Sequence, residues 1–151
     1  MTYAVVDMAK RTLTYARAGH TPLIHRTTAS PAVATLVAPN GMVVGLQLDG
    51  LEHRFAELLE EVTVPLVAGD VFLLYTDGLS EAMNAEGDLF GEERLRLLVE
   101  EHGDLGSDGL RERIVRDVEA HVAGADPHDD MTLIVVTVDH DAASVDRAVL
   151  A

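Results

Sequence analysis

Apolar and polar positions alternate in the first part of the chain, run together near its middle and near its end, and recur three and four residues apart in between. Thr2-Tyr3-Ala4-Val5-Val6-Asp7 has strand character from its first residues, and Thr12 to Arg17 alternates cleanly. With the polar stretch Met8 to Arg11 between them, the two predict an antiparallel hairpin. Ala18-Gly19-His20-Thr21-Pro22 breaks the pattern, and Leu23-Ile24-His25-Arg26 resumes it as an extended run. Thr27 to Pro39, low in charge and broken by Pro31 and Pro39, is expected to be irregular strand and loop. Asn40-Gly41 and Asp49-Gly50 bracket Met42 to Leu48 as a strand between two tight turns. Phe55 to Val64 fits helix or strand, and the turn residues Pro65 and Ala68-Gly69-Asp70 behind it favour strand.

The chain is organised around Val71-Phe72-Leu73-Leu74-Tyr75, which is apolar without alternation and so reads as a short strand buried on both faces. It stops on Thr76-Asp77-Gly78. Asp-Gly is a common hairpin turn, so Asp77 is either a turn-former or a ligand; no alternating strand follows, and Leu79 to Asn84 looks like a helical turn. Phe90-Gly91-Glu92-Glu93-Arg94-Leu95 marks a helix start, its acids suited to the positive end of the helix dipole. Leu95, Leu98, Val99 and His102 share one face. Gly103 to Gly109 is expected as a loop, and a second helix from about Leu110 to Val122 carries Leu110, Ile114, Val118 and Val122 inward. His102 and His121 are simplest as helix-surface residues. Ala123 to Pro127 breaks that helix and delivers His128-Asp129-Asp130-Met131-Thr132, then Leu133 to Val138, a second continuous core strand. Residues 139–151 are expected as a tail.

At 151 residues the chain has the size of one domain. Its 48% apolar and 4% aromatic content implies an aliphatic core. No run approaches the roughly 18 apolar residues of a membrane span, and the N-terminus lacks a signal pattern, so a cytoplasmic location with no membrane partner is expected. With no cysteine, any metal must be held by oxygen or imidazole. The formal charge of −15 argues against a nucleic-acid partner, whose phosphates demand a basic face, and none is expected. A phosphate substrate would need cations to invert that field locally.

Both core strands are bounded by acid: Asp77 where the first ends, Asp129 and Asp130 where the second begins. If the strands are antiparallel neighbours, those positions share one rim of the sheet. Like charges brought that close raise one another's pKa, and a hard divalent cation removes the conflict. Alternatively Asp129 turns the chain and Asp130 is solvated.

AGHTPL, then Gly69-Asp70 followed by YTDGLSEAMN, GDLFGEERL and HDDMTLIVV come in the order and spacing of the bacterial serine phosphatases similar to sporulation stage II protein E, in the metal-dependent PPM (phosphatase 2C-like) superfamily. The resemblance covers Thr2 to about Val138. It implies an α+β fold, an α-β-β-α sandwich of two antiparallel sheets flanked by helices, with residues 1–138 as the C-terminal portion of the domain. It also implies hydrolysis of phosphoserine or phosphothreonine on a regulatory partner, often an anti-anti-sigma factor, by water activated between two manganese or magnesium ions. Asp77 matches a metal-binding aspartate of the family, and Asp129 matches another. His20, Thr76, Gly78, Glu81, Asp130 and Thr132 fall on motif positions with supporting or structural roles, and no residue matches a covalent nucleophile.

The family's other ligands lie in an upstream segment ending Gly-His-Gly, which these 151 residues do not contain. A preceding segment is therefore expected to have been removed or to be supplied elsewhere. The chain by itself is expected to hold at most one ion weakly, to turn over negligibly, and to self-associate by strand exchange or sheet association. The alternative is a noncatalytic remnant that binds a regulator. A phosphoacceptor receiver domain would need a lysine near the site, and Lys10 is the only one; a haloacid-dehalogenase phosphatase would need an acid where Tyr75 stands.

Overall fold

The computed structural model describes residues 1–45, 52–124 and 129–139. In chain order these form β1 (Thr2–Asp7), β2 (Thr12–Arg17), β3 (Leu23–Thr27), β4 (Val33–Val37), α1 (Glu52–Leu58), β5 (Glu61–Pro65), β6 (Val71–Tyr75), α2 (Asp77–Ser80), α3 (Glu92–His102), a 3-10 turn (Gly103–Leu105), α4 (Gly106–Val122) and β7 (Leu133–Thr137). The strands make two sheets, ordered β1-β2-β5 and β4-β3-β6-β7, with every pair antiparallel. The expected hairpin forms with Thr2 opposite Arg17 and Asp7 opposite Thr12. Its turn is closed by the Lys10 amide donating to Asp7 Oδ1 at 2.9 Å.

β6 shows why an apolar run without alternation belongs inside. Phe72 faces the gap between the sheets, where it meets Leu13, Tyr15 and Leu23. Leu73 faces the other way, into a cluster with Ile24, Leu95, Val99, Leu110, Ile114 and Val118. Both are 0% exposed. Each such side chain contributes about 1.5–3 kcal/mol of burial free energy, so this one strand ties two cores together. Helices α3 and α4 pack on the four-stranded sheet. The architecture is thus the expected pair of antiparallel sheets with flanking helices. Among the described residues the outer face of β1 is uncovered, with Tyr3 63% and Val5 40% exposed.

Three local expectations change. The segment Phe55 to Val64 is neither all strand nor all helix: α1 runs to Leu58 and β5 starts at Glu61. No glycine or proline marks the break. It is held from a distance, by the Glu60 amide donating to the Asn40 carbonyl at 2.9 Å and by Asn40 Nδ2 donating to Glu60 Oε2 at 3.0 Å. Gly103 to Gly109 is not a loop, because α4 already begins at Gly106. Gly103 serves close approach: a Cβ there would lie 2.4 Å from Arg26 Cδ, where the buried Arg26 side chain passes to reach the Glu100 carbonyl and Asp104. β7 is a half-buried sheet edge rather than a core strand, with Ile134 55% exposed. Of the strand expected over Met42 to Leu48, Met42 to Gly45 are not extended in a sheet and the rest lies outside the described residues, as do His128 and the tail beyond Asp139.

Candidate active site at the rim of the sheets

β6 ends with Tyr75 opposite Leu133 at the start of β7, so the residues after one strand adjoin those before the other. Thr76 joins them. Its amide donates to the Thr132 carbonyl at 3.0 Å, its hydroxyl donates to the Asp130 carbonyl at 3.0 Å, and that same hydroxyl accepts from the Thr132 amide at 3.0 Å. A β-branched alcohol at this point thereby replaces the next rung of the ladder. Gly78 packs against the other wall: a Cβ on it would stand 2.6 Å from the Asp130 carbonyl oxygen and 3.4 Å from the Asp129 carbonyl carbon. The Asp77-Gly78 and Asp129-Asp130 backbones are therefore in contact, 52 positions apart in sequence (129 − 77).

The side chains of Asp77, Asp129 and Asp130 are exposed at this rim. Asp77 Oδ1 accepts from the Gly78 amide at 3.1 Å, and Asp129 Oδ1 from the Asp130 amide at 2.7 Å, which orients both carboxylates locally. The Asp77 carbonyl accepts from Ser80 Oγ at 3.2 Å and from the Glu81 amide at 2.7 Å, closing the short turn of α2. Asp130 and Thr132 enter the network through their backbones. Among the described residues no three His, Asp or Glu side chains converge as a metal shell. The donor chemistry present, two exposed carboxylates on touching backbone segments, fits one hard cation incompletely.

A polar cleft of about 410 Å³ opens beside Asp77, walled by Arg17, His20, Leu36, Glu81 and Glu92 among others; Asp129 does not line it. The β2–β3 turn supplies His20. Gly19 takes a left-handed φ of 62°, and a Cβ on it would strike Val43 at 2.2 Å, so this turn needs glycine. Arg17 pins the turn by donating to the His20 carbonyl at 2.6 Å and the Pro39 carbonyl at 3.1 Å. Thr21 Oγ1 lies 3.0 Å from His20 Nδ1 and also bonds the Tyr75 carbonyl, tying the turn to the end of β6.

Arg17, Thr21 and Glu92 were not singled out from the sequence as site residues. Glu92 read as a helix-dipole partner at the start of α3, yet Tyr75 Oη also donates to its Oε1 at 3.2 Å. Burial, followed by the Glu92 carboxylate, raises the Tyr75 phenol far above its ordinary pKa and keeps it a donor. The only local signal for Thr21 was its place beside His20.

Two antiparallel sheets with helices, closing at a rim of aspartates joined through a Thr-Asp-Gly turn, give the chain the fold of PP2C-type domains. Residues 1–139 match the family described as Stage II sporulation protein E (SpoIIE), and the chain belongs to that family. The phosphoserine phosphatase RsbU of Bacillus subtilis (strain 168) is 32% identical to it over 136 residues, 90% of this chain and 38% of that protein. The SiaA-PP2C domain of Pseudomonas aeruginosa superposes with a TM-score of 0.73 at 22% identity, covering 91% of this chain and 51% of that one. The manganese-presoaked phosphatase domain of the cell fate determinant SpoIIE from Bacillus subtilis gives 0.64 at 16%, covering 93% and 56%. The chain thus spans well under half the length of its curated relative and little more than half of each of these two structures. At these identities the structural likenesses establish the fold. Among the described residues no helix is long and apolar enough to cross a membrane.

Proposed function

We propose that residues 1–138 form the C-terminal portion of a manganese- or magnesium-dependent phosphatase domain that hydrolyses phosphoserine or phosphothreonine on a regulatory protein of the anti-anti-sigma kind. The observation that supports this most is the Thr76 bridge, which brings the turns bearing Asp77 and Asp129 to one rim. In this reading Asp77 and Asp129 are the metal ligands of the chain. When bound, the ion lowers the pKa of water and offsets the charge on the phosphoryl oxygens. Thr76, through its hydroxyl, and Gly78, through its missing side chain, hold the two turns in contact. Asp130 and Thr132 contribute backbone groups, and Glu81 and His20 line the cleft next to Asp77.

The remaining ligands belong, by the family resemblance, to the upstream segment. With two carboxylates the chain binds one ion weakly. Calorimetric titration with manganese is expected to show millimolar-range binding that disappears in Asp77→Asn and in Asp129→Asn, with negligible hydrolysis of a phosphoseryl peptide. Unchanged binding in both variants would refute the ligand assignment. A noncatalytic interaction module is the second reading, favoured by the lack of a third convergent donor among the described residues. Turnover gained by joining an upstream Gly-His-Gly segment to the chain would count against it. Self-association belongs to either reading, because among the described residues β1 offers a free edge with exposed Tyr3, Val5 and Val6. Light scattering that finds a monodisperse monomer would exclude it.

A further inference from the structure

We propose that Leu36 is a specificity-determining residue of the cleft beside Asp77, where it receives an apolar side chain that lies close in sequence to the phosphorylated residue of the partner. This rests on the phosphatase reading above. Side chains of β4 alternate between the two faces of the sheet. Ala34 belongs to the core on the helical side, and Leu36 shares its face, paired with Ile24 of that same core; Val37 turns the other way, toward the gap between the sheets. Ala34 is sealed by Glu100 and Arg96 of α3. Leu36 lies the next step along that face, is 38% exposed, and borders the cleft with Ala38 and Pro22. The helical cover ends before Leu36, and the apolar face it leaves bare becomes a wall of the cleft.

A lone exposed leucine is ordinary on a protein surface. This one stands in a concave site whose polar groups are largely engaged within the chain. Arg17 donates from Nε to the Pro39 carbonyl and from Nη1 to the His20 carbonyl. Thr21 Oγ1 is bonded to the Tyr75 carbonyl, and Glu92 Oε1 accepts from Tyr75 Oη. Asp77 serves the metal. What remains for a bound segment is the ledge of Leu36, with Glu81 and Glu92 on the same cleft. At about 410 Å³ the cleft is within the range of about 300–1,000 Å³ in which proteins enclose small ligands. It has room for a phosphoseryl group and one neighbouring side chain. An acidic neighbour would be repelled by Glu81 and Glu92, and a charge of either sign would lose water against Leu36. A branched aliphatic side chain is therefore the occupant that fits.

The test needs binding and no turnover. The 151-residue chain, with magnesium present, is titrated in methyl-resolved NMR with short alanine-based phosphoseryl peptides in which a single leucine is walked through the flanking positions. One placement of leucine is expected to bind about fivefold tighter than the all-alanine phosphopeptide and to move the Leu36 methyl signals. Leu36→Ala should reduce that preference to less than about twofold, while Leu36→Met keeps most of it. Val33→Ala, an exposed residue on the opposite face of β4, should leave it unchanged, and the same spectra report the folding of each variant. If no placement of leucine improves on alanine, or if the preference survives Leu36→Ala, the proposal is overturned. Should phosphopeptides outbind their unphosphorylated forms, and Asp77→Asn remove that advantage, while leucine adds nothing, the phosphatase reading stands and Leu36 alone falls. If phosphorylation, magnesium and Asp77→Asn all leave peptide binding unchanged, the phosphatase reading itself fails and takes the role of Leu36 with it.

Discussion

β4 and β1 are both outer strands of their sheets, and they meet the problem of unpaired backbone in opposite ways. Ala34 on β4 is 2% exposed: its amide donates to Glu100 Oε2 at 2.8 Å, its carbonyl accepts from Arg96 Nη1 at 2.9 Å, and the two side chains bond each other at 2.7 Å. One turn of α3 thus stands in for a neighbouring strand. β1 has no such cover among the described residues, and four of its six positions are exposed. A sheet edge is inert when side chains of its own chain complete it and adhesive when they do not. Ala34 is thus a sealed point on a β4 whose Val33, Thr35 and Leu36 stay exposed, whereas β1 has no such seal among the described residues.

The largest expected effect separates the two sheets directly. Leu73→Ala in β6 should cost about 3 kcal/mol in urea unfolding, whereas Val5→Ala in β1 should stay within about 0.5 kcal/mol. Similar losses at both sites would mean that β1 is covered in solution. Next comes the buried pair at the far end of β6, where Asp70 accepts from the His25 ring at 3.0 Å and from the Thr28 amide at 3.1 Å. Asp70→Ala strands both donors and should cost about 2 kcal/mol, with Asp70→Asn milder, read by the same denaturation. Gly78→Ala presses a methyl into the Asp130 carbonyl and should cost about 1.5 kcal/mol while weakening manganese binding. An intact metal affinity in that variant would mean that the two turns do not need to touch.

The smallest effect tests the covered edge by pH. The Ala34 amide, then Arg96, hold the Glu100 carboxyl below its ordinary value of 4.5. A depressed folded-state pKa stabilises above the unfolded value, and that contribution is lost as pH falls through the folded one. Melting temperature should therefore drop between about pH 5 and pH 3, and Glu100→Gln should flatten this slope slightly. An unchanged slope would leave the β4 edge to packing alone.

Much of this was legible because the relevant physics is local. Five apolar residues without alternation read as a strand buried on both faces, and Phe72 and Leu73 of β6 occupy two different cores accordingly, although the similar run in β7 ended at a half-buried edge. Alternation from Thr12 to Arg17 predicted a half-buried strand, and Leu13 and Tyr15 are its buried positions. The stripe Leu110, Ile114, Val118 predicted the inner face of α4. The acids at the boundaries of the two apolar runs lie on turns that adjoin at one rim of the sheet.

What the chain's own pattern could not carry depends on partners far away in sequence. The division of Phe55 to Val64 into α1 and β5 is settled by Asn40, the glycine at 103 by Arg26, and the place of the β2–β3 turn by the bond from Thr21 to the Tyr75 carbonyl. Residue type and periodicity determined which segments would be strands and helices and where carboxylates would emerge, since each choice turns on neighbours within a few residues. Only the folded chain decided which edges are covered, which side chains share the cleft, and which hydroxyl joins the two turns. Those outcomes are hydrogen bonds and close contacts whose two halves acquire meaning only when brought within a few ångströms of each other.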